Sequence, residues 1–223
     1  MGPFGLDRRQ REKRIEHSAK GGRNQVLALC SMPSAPCVCI LLAIFFLSLI
    51  SGCGGPMTYI HPTADLTYIT TVAVVPLKNL TQDPGAEGKV MNVVAAEILI
   101  RGVFDVVEFG EVAKVLREEG FKEKEGEISK SVAERAGKRL NVQAFIVGSV
   151  EEYGMSRTGQ SSYPEVSLSL RLIDAKSYKI LWEATYSEKG TTVLDRLLGI
   201  GKKSPSDLCK EVVAEMFDTL FGG

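Results

Sequence analysis

Two short runs limit the fold of this 223-residue chain more than any other feature. They are Ile69–Leu77, ITTVAVVPL, and the AFIVGSV core of Gln143–Tyr153. Successive side chains of a strand point to opposite faces. Val72 to Val75 are apolar on both faces, and so are Ala144 to Val147. Such strands belong inside a sheet that is covered on both sides. The chain must therefore supply helices for two faces.

The spacing predicts those helices. Over Ala86–Arg101, Val90, Val94 and Ile98 repeat every four residues, Met91, Ala95 and Leu99 broaden the stripe, and Gly102 stops it. A short strand is expected over Val103–Phe109. Glu111–Glu119 reads as a helix with Val112, Val115 and Leu116 inward, ended by Gly120. A third helix starts near Ser131, whose spacing to Glu134 matches a capping box, and Val132, Ala136 and Leu140 form its inner face. Between these two helices, Lys122–Glu127 (KEKEGE) reads as a solvated loop.

Beyond the second apolar strand the pattern changes to clean alternation. In Pro164–Asp174, Val166, Leu168, Leu170 and Leu172 point inward, with Ser167, Ser169 and Arg171 outward. Lys179–Glu188 places Ile180, Trp182, Ala184 and Tyr186 on one face, and AKSY between the two runs reads as a hairpin turn. Ser204-Pro205 opens a last helix, with Ser at the N-cap, Pro at the first position and Asp207 at the third. Leu208, Val212, Val213, Met216, Phe217 and Leu220 form its broad apolar face. The order is β-α-β-α-α-β-β-β-α. It predicts a single-domain α/β sandwich with a mixed sheet over residues 68–223.

What precedes that domain carries a separate message. Val38–Leu49, VCILLAIFFLSL, is about a dozen residues long, short of the roughly 20 a spanning helix needs. It suits the apolar core of a signal peptide. Ile50, Ser51, Gly52 and Cys53 follow, and they resemble the recognition sequence of lipoprotein signal peptidase. Residues 1–52 are therefore expected to be a basic segment and signal peptide, with Cys53 as the first mature residue. Its thiol would carry diacylglycerol and its amine a further acyl chain such as palmitate. The alternative reading is an uncleaved anchor with an incidental cysteine. The 37 residues ahead of the apolar run are long for a signal peptide, so translation is expected to begin downstream of Met1; Met32 would leave no Lys or Arg before the run. Residues 53–67 read as a tether that spans roughly 20 Å as a coil and about 50 Å fully extended.

Charge and cysteine usage agree with this division. Met1–Cys53 holds 7 Lys and Arg against 3 Asp and Glu, and the remainder 20 against 24. A mildly acidic body without a basic stripe argues against nucleic-acid binding. With Cys53 acylated, the mature chain would keep one thiol, Cys209, which leaves no partner for a disulfide and no cysteine metal site. Cys209 is expected to serve as a small hydrophobic residue.

Chemistry is harder to assemble. The two histidines, His17 and His61, fall in the signal segment and the tether, so neither a Ser-His-Asp triad nor an imidazole zinc site has a candidate. Glu151 and Glu152 are adjacent on a strand and point to opposite faces. No enzyme, cofactor, metal or small-molecule substrate is expected. One segment exceeds what the fold needs: Thr191–Lys203, TTVLDRLLGIGKK. Its Val193, Leu194, Leu197, Leu198 and Ile200 are spaced for a short amphipathic helix, expected either to pack on its own sheet or to face a partner, another copy or a membrane.

Four stretches together resemble one family: VAVVPLKNL, RGVFDVVEFGEVAKVLREEG, AERAGKRLNVQAFIVGSVEEYG and VSLSLRLIDAKSYKILWEATYSEKG. They are similar to the curli-secretion lipoprotein CsgG and its relatives, among them the penicillin-binding-protein activator LpoB. The resemblance covers about Thr70–Lys189. It implies a non-enzymatic lipoprotein, held at the outer membrane and facing the periplasm, that binds a protein partner or self-associates in the manner of CsgG-family components. The alternative it implies is an LpoB-like activator of a peptidoglycan synthase. Gly54 after the acylated cysteine, where Asp would retain the protein, agrees with outer-membrane sorting. CsgG-type channels add long membrane hairpins; here Gly154–Tyr163 is a polar connector of ten residues. LpoB-type activators add a long disordered tether, which residues 53–67 do not supply.

Overall fold

The two apolar runs lie side by side at the centre of the molecule. In the computed structural model, which describes residues 54–122, 126–159, 161–190 and 203–222, β2 (Thr71–Val74) pairs parallel with β5 (Ala144–Thr158). Six strands lie in the order β1-β7-β6-β5-β2-β4, and β3 pairs with β5 off that path. The others are β1 (Met57–Ile60), β3 (Lys78–Asn79), β4 (Asp105–Val106), β6 (Ser161–Asp174) and β7 (Ile180–Lys189). β2, β3, β4 and β5 pair in parallel, while β5, β6, β7 and β1 pair antiparallel, so the sheet is mixed.

Helices cover the two faces separately. α1 (Ala86–Arg101) and α4 (Pro205–Phe221) pack on Val72, Val74, Ile146, Leu168, Leu170, Leu172 and Trp182. α2 (Phe109–Glu118) and α3 (Lys130–Leu140) pack on Ala73, Val75, Phe145, Val147 and Ile173. Trp182 is fully buried, stacks on Phe217 at 5.5 Å and donates its indole N–H to Thr219 Oγ1 at 3.0 Å. An indole in a core needs such a partner, because an unsatisfied buried donor costs about 1–3 kcal/mol. α2 and α3 are joined at the surface by Glu118 and Glu119, which pair with Arg139 and, for Glu119, also Arg135.

Several elements differ from the sequence reading, each for a physical reason. The expected tether is folded from Met57 onward: β1 pairs with β7, and the His61 N–H donates to the Leu181 carbonyl at 3.0 Å. Four residues are too few to show a period, and the partner strand supplies their hydrogen bonds. Gly154–Tyr163 is not a plain connector but the outer half of the β5–β6 hairpin, paired out to Thr158 and Ser161. Pairing with β7 ends at Glu165, so only four pairs of this arm extend beyond the sheet, far short of the roughly 9–11 residues per strand a bilayer requires. The cap of α3 is Ser129, which accepts from the Val132 N–H, and not Ser131. Val103–Phe109 contributes only the two residues of β4.

In β7 a bulge sets Leu172 opposite Trp182 but Ile173 opposite Ile180. Leu181 therefore joins the α1/α4 core, and Ile180 turns to the α2/α3 side instead of aligning with Trp182. The AKSY turn holds Tyr178 at φ +64°, a conformation that usually selects glycine. Its hydroxyl donates to the Ile128 carbonyl, which ties the turn to the start of α3. Gly148 is required for another reason: a Cβ there would lie 2.0 Å from the Ser169 carbonyl oxygen. α4 matches expectation, with Ser204 accepting from the Asp207 N–H and its six apolar residues buried.

Candidate functional site

The apolar residues of α1 exceed what the sheet can cover. Val90, Val94, Ala95 and Ile98 are buried, but Leu99, read in sequence as part of the inner stripe, is 58% exposed and Ile100 is 80% exposed. Ile98 faces the core, and each helical step turns by about 100°, so Leu99 and Ile100 rotate progressively off it. With Ala96, also exposed, they lie at i, i+3 and i+4 on the outer side of α1, and Val103, exposed just beyond the cap, follows them in the chain.

This helix end is held rigidly. Gly102 closes α1 in the left-handed conformation, its N–H reaching the Ile98 and Leu99 carbonyls. Arg101 donates to Glu97 and to Asp218 of α4, each at 2.7 Å, and to the Ala214 carbonyl at 3.0 Å. Phe104 closes edge-to-face on Phe221 at 5.5 Å. Four exposed apolar groups on a clamped helix end can be buried by a partner with little loss of chain entropy.

A second surface lies where α2 and α3 do not reach. There β6 and β7 carry the half-buried Ser169, Arg171, Glu183 and Thr185 beside the buried Ser167 on one face, and Thr185 donates to Ser169 at 3.2 Å. Arg171 stands opposite Glu183 and lines a cavity of about 180 Å³ with Glu127, Ile128, Val147, Ile173, Tyr178 and Ile180. At the turn beside it, the Asp174 carboxylate accepts from the Ser177 N–H and from the Tyr68 hydroxyl at 2.8 Å. Burial acts to raise the Asp174 pKa, but the hydrogen bonds from Ser177 and Tyr68 outweigh it and hold the carboxyl below its usual value. Burial, with the bond to Asp174, pushes the Tyr68 phenol up to about 12.

The third surface is the open edge. All four residues of β1 are exposed, Met57 at 81% and Tyr59 and Ile60 at 47% each. Neither this strand nor the outward α1 stripe was read as a surface in the sequence. The α1 signal was available in Ala96, Leu99 and Ile100, which follow helical spacing off the inner face.

The residues singled out in sequence fall as follows. Ile50, Ser51, Gly52 and Cys53, together with Val193, Leu194, Leu197, Leu198 and Ile200, lie outside the described residues. Glu151 is the extra residue of a bulge between Val150 and Glu152, and accepts from the Ser167 hydroxyl at 3.0 Å. Cys209 is buried in the α1/α4 core, and burial pushes its thiol up to about 12, as suits a small hydrophobic residue. Among the described residues no three His, Cys, Asp or Glu side chains are grouped to hold a metal, and no helix is long and apolar enough to cross a membrane.

These features define a class: a small α/β sandwich with a mixed sheet that leaves apolar side chains exposed on α1 and β1. The chain belongs to the family of the peptidoglycan-synthase activator LpoB, whose model matches residues 57–187. Of the two branches resembled in sequence, the match falls on the activator and not on the curli-secretion lipoprotein. No curated protein sequence matches the chain. Among solved structures it is similar to the PelC dodecamer from Paraburkholderia phytofirmans in two crystal forms. One has 20% identity, TM-score 0.53 and coverage of 75% of this chain and 98% of that one; the other has 20% identity, TM-score 0.51 and coverage of 73% and 95%. The LpoB C-terminal domain from Salmonella enterica aligns at 18% identity and TM-score 0.38, over 56% of this chain and 87% of that one. The PelC structures share the fold.

Proposed function

We propose that this protein is a non-enzymatic, lipid-anchored envelope protein that binds and activates a peptidoglycan synthase. The observation that carries the reading is the activator-family match over residues 57–187. Cys53 bears the lipid after cleavage behind Ile50-Ser51-Gly52, and Gly54 directs the protein to the outer membrane, facing the periplasm. The synthase docks on the stripe of Ala96, Leu99, Ile100 and Val103, where apolar groups stand exposed on a clamped support.

The start of β1 constrains how that meeting takes place. Only Gly54, Gly55 and Pro56 separate Cys53 from Met57. Four Cα steps span at most about 14 Å. The activator cannot extend through the wall on a tether, so an element of the synthase has to come to it near the membrane surface.

Crosslinking in native envelopes, followed by identification of the captured protein, tests this reading. A penicillin-binding protein captured through α1, and lost with Ile100→Glu, supports it. Capture of the chain only by itself favours the self-associating alternative, which draws on the shared fold of PelC, a dodecamer, and on the unpaired edge of β1. Replacing Cys53 by Ala is expected to abolish fatty-acid labelling, and persistent labelling would remove the anchor from the account.

A further inference from the structure

We infer that β1 is a membrane-contacting edge, with Met57, Tyr59 and Ile60 seated in the interfacial layer of the bilayer that holds Cys53. This rests on the lipid anchor proposed above. An open edge strand is a site for unwanted pairing, and proteins usually blunt one with charged residues, Pro or a covering element. Among the described residues β1 has pairing on one side only, from β7, and its four residues MTYI include no charge and no Pro. The absence of charge extends further: from Cys53 to Ala64 there is no Asp, Glu, Lys or Arg, and Asp65 is the first charged residue. That is unusual in a chain with 24% charged residues.

Geometry supplies the occupant. The acyl-bearing residue lies within about 14 Å of Met57 along the chain, so β1 cannot leave the membrane surface while the lipid is inserted. Register places Met57 and Tyr59 on one face of the strand and Ile60 on the other, so the edge is apolar from both sides. Two apolar side chains and a tyrosine, whose ring is apolar and whose hydroxyl is polar, match the chemistry of the headgroup–acyl boundary. The unpaired backbone groups of the edge need water, which that layer retains and the hydrocarbon core does not. β1 and β4 end the strand path, five spacings of about 4.8 Å apart, or roughly 24 Å. Contact through β1 therefore turns β4 and the adjoining end of α1, which carries Leu99 and Ile100, away from the bilayer.

The test uses the acylated full-length protein with Tyr59→Trp, in phosphatidylethanolamine–phosphatidylglycerol vesicles with brominated acyl chains. The chain's one tryptophan, Trp182, is fully buried and gives a constant background from the unmodified protein. Mass spectrometry of the N-terminal peptide reports acylation independently. The added emission is expected to shift to the blue and to lose roughly half its intensity to the brominated lipid, as for an interfacial indole. The same substitution combined with Cys53→Ala should stay unquenched. Emission of the acylated protein that is quenched by aqueous iodide and not by the lipid overturns the inference and leaves the anchor standing. Emission shielded from both, with a dimer or larger species in detergent, assigns the edge to a second copy and also overturns it. An unacylated N-terminus overturns both readings. Ile60→Trp reads the same surface if the first variant does not fold.

Discussion

Replacing Leu99 and Ile100 together by Ser separates docking from folding on α1. Full burial of a Leu or Ile side chain is worth about 1.5–3 kcal/mol. Leu99 is 58% exposed and Ile100 80% exposed, so a partner has roughly 0.9–1.7 and 1.2–2.4 kcal/mol left to gain from them. The pair therefore carries about 2–4 kcal/mol, a weakening of roughly 30- to 700-fold in Kd, with the lower end favoured because interfaces seldom realise the full area term. Folding should barely notice. Exposed substitutions usually stay within about 0.5 kcal/mol each, and 1 kcal/mol moves the melting temperature of a domain this size by roughly 2–4 °C. The assay is titration of the synthase by biolayer interferometry, with thermal melts on the same preparations. An unchanged Kd would refute docking on this stripe. A collapse of the melt would show that Leu99 and Ile100 serve the core after all.

Other outcomes follow from the same geometry. Gly148→Ala drives a Cβ to 2.0 Å from the Ser169 carbonyl in the β5–β6 ladder, and should cost about 3 kcal/mol or more, lowering the urea midpoint accordingly; a wild-type midpoint would show that the strands separate freely. Asp174 has a depressed folded pKa, so its contribution is present above the unfolded value of about 3.9 and is lost as pH falls through the lower folded value. Denaturant unfolding across the acid range should show that loss, and Asp174→Asn should flatten it; equal acid limbs would contradict the assignment. Tyr68 works in the opposite sense: its contribution holds below the unfolded value of about 10 and fades as pH rises through about 12, so Tyr68→Phe should flatten the alkaline limb.

Much of the fold could be read because burial on both faces leaves a strong mark. Val72–Val75 and Ala144–Val147 demanded a doubly covered sheet, and the Ser204-Pro205 cap and apolar face of α4 stand where the spacing put them. The misses share one cause: a side chain's direction was inferred from its own strand or helix alone. β1 exists because β7 offers an edge, which four residues cannot announce. Ile180 left the Trp182 face through a bulge that period-two counting does not include. Leu99 was counted inward because it is apolar, although it stands one helical step, about 100°, off the buried Ile98. The cap of α3 moved to Ser129 because two nearby serines both have helical spacing, and only the chain's entry direction distinguishes them. The proposed lipidation of Cys53 rests on sequence chemistry alone, while the apolar residues left outside the core on α1 stood out only through their exposure.

The proposed activation is tested most directly by glycan-strand synthesis by purified penicillin-binding proteins of the same cell, titrated with the acylated protein. The rate is expected to rise and saturate at equimolar lipoprotein, and the Leu99→Ser, Ile100→Ser double variant should require a proportionally higher concentration. A rate unchanged at every lipoprotein concentration, with no complex formed, would contradict it.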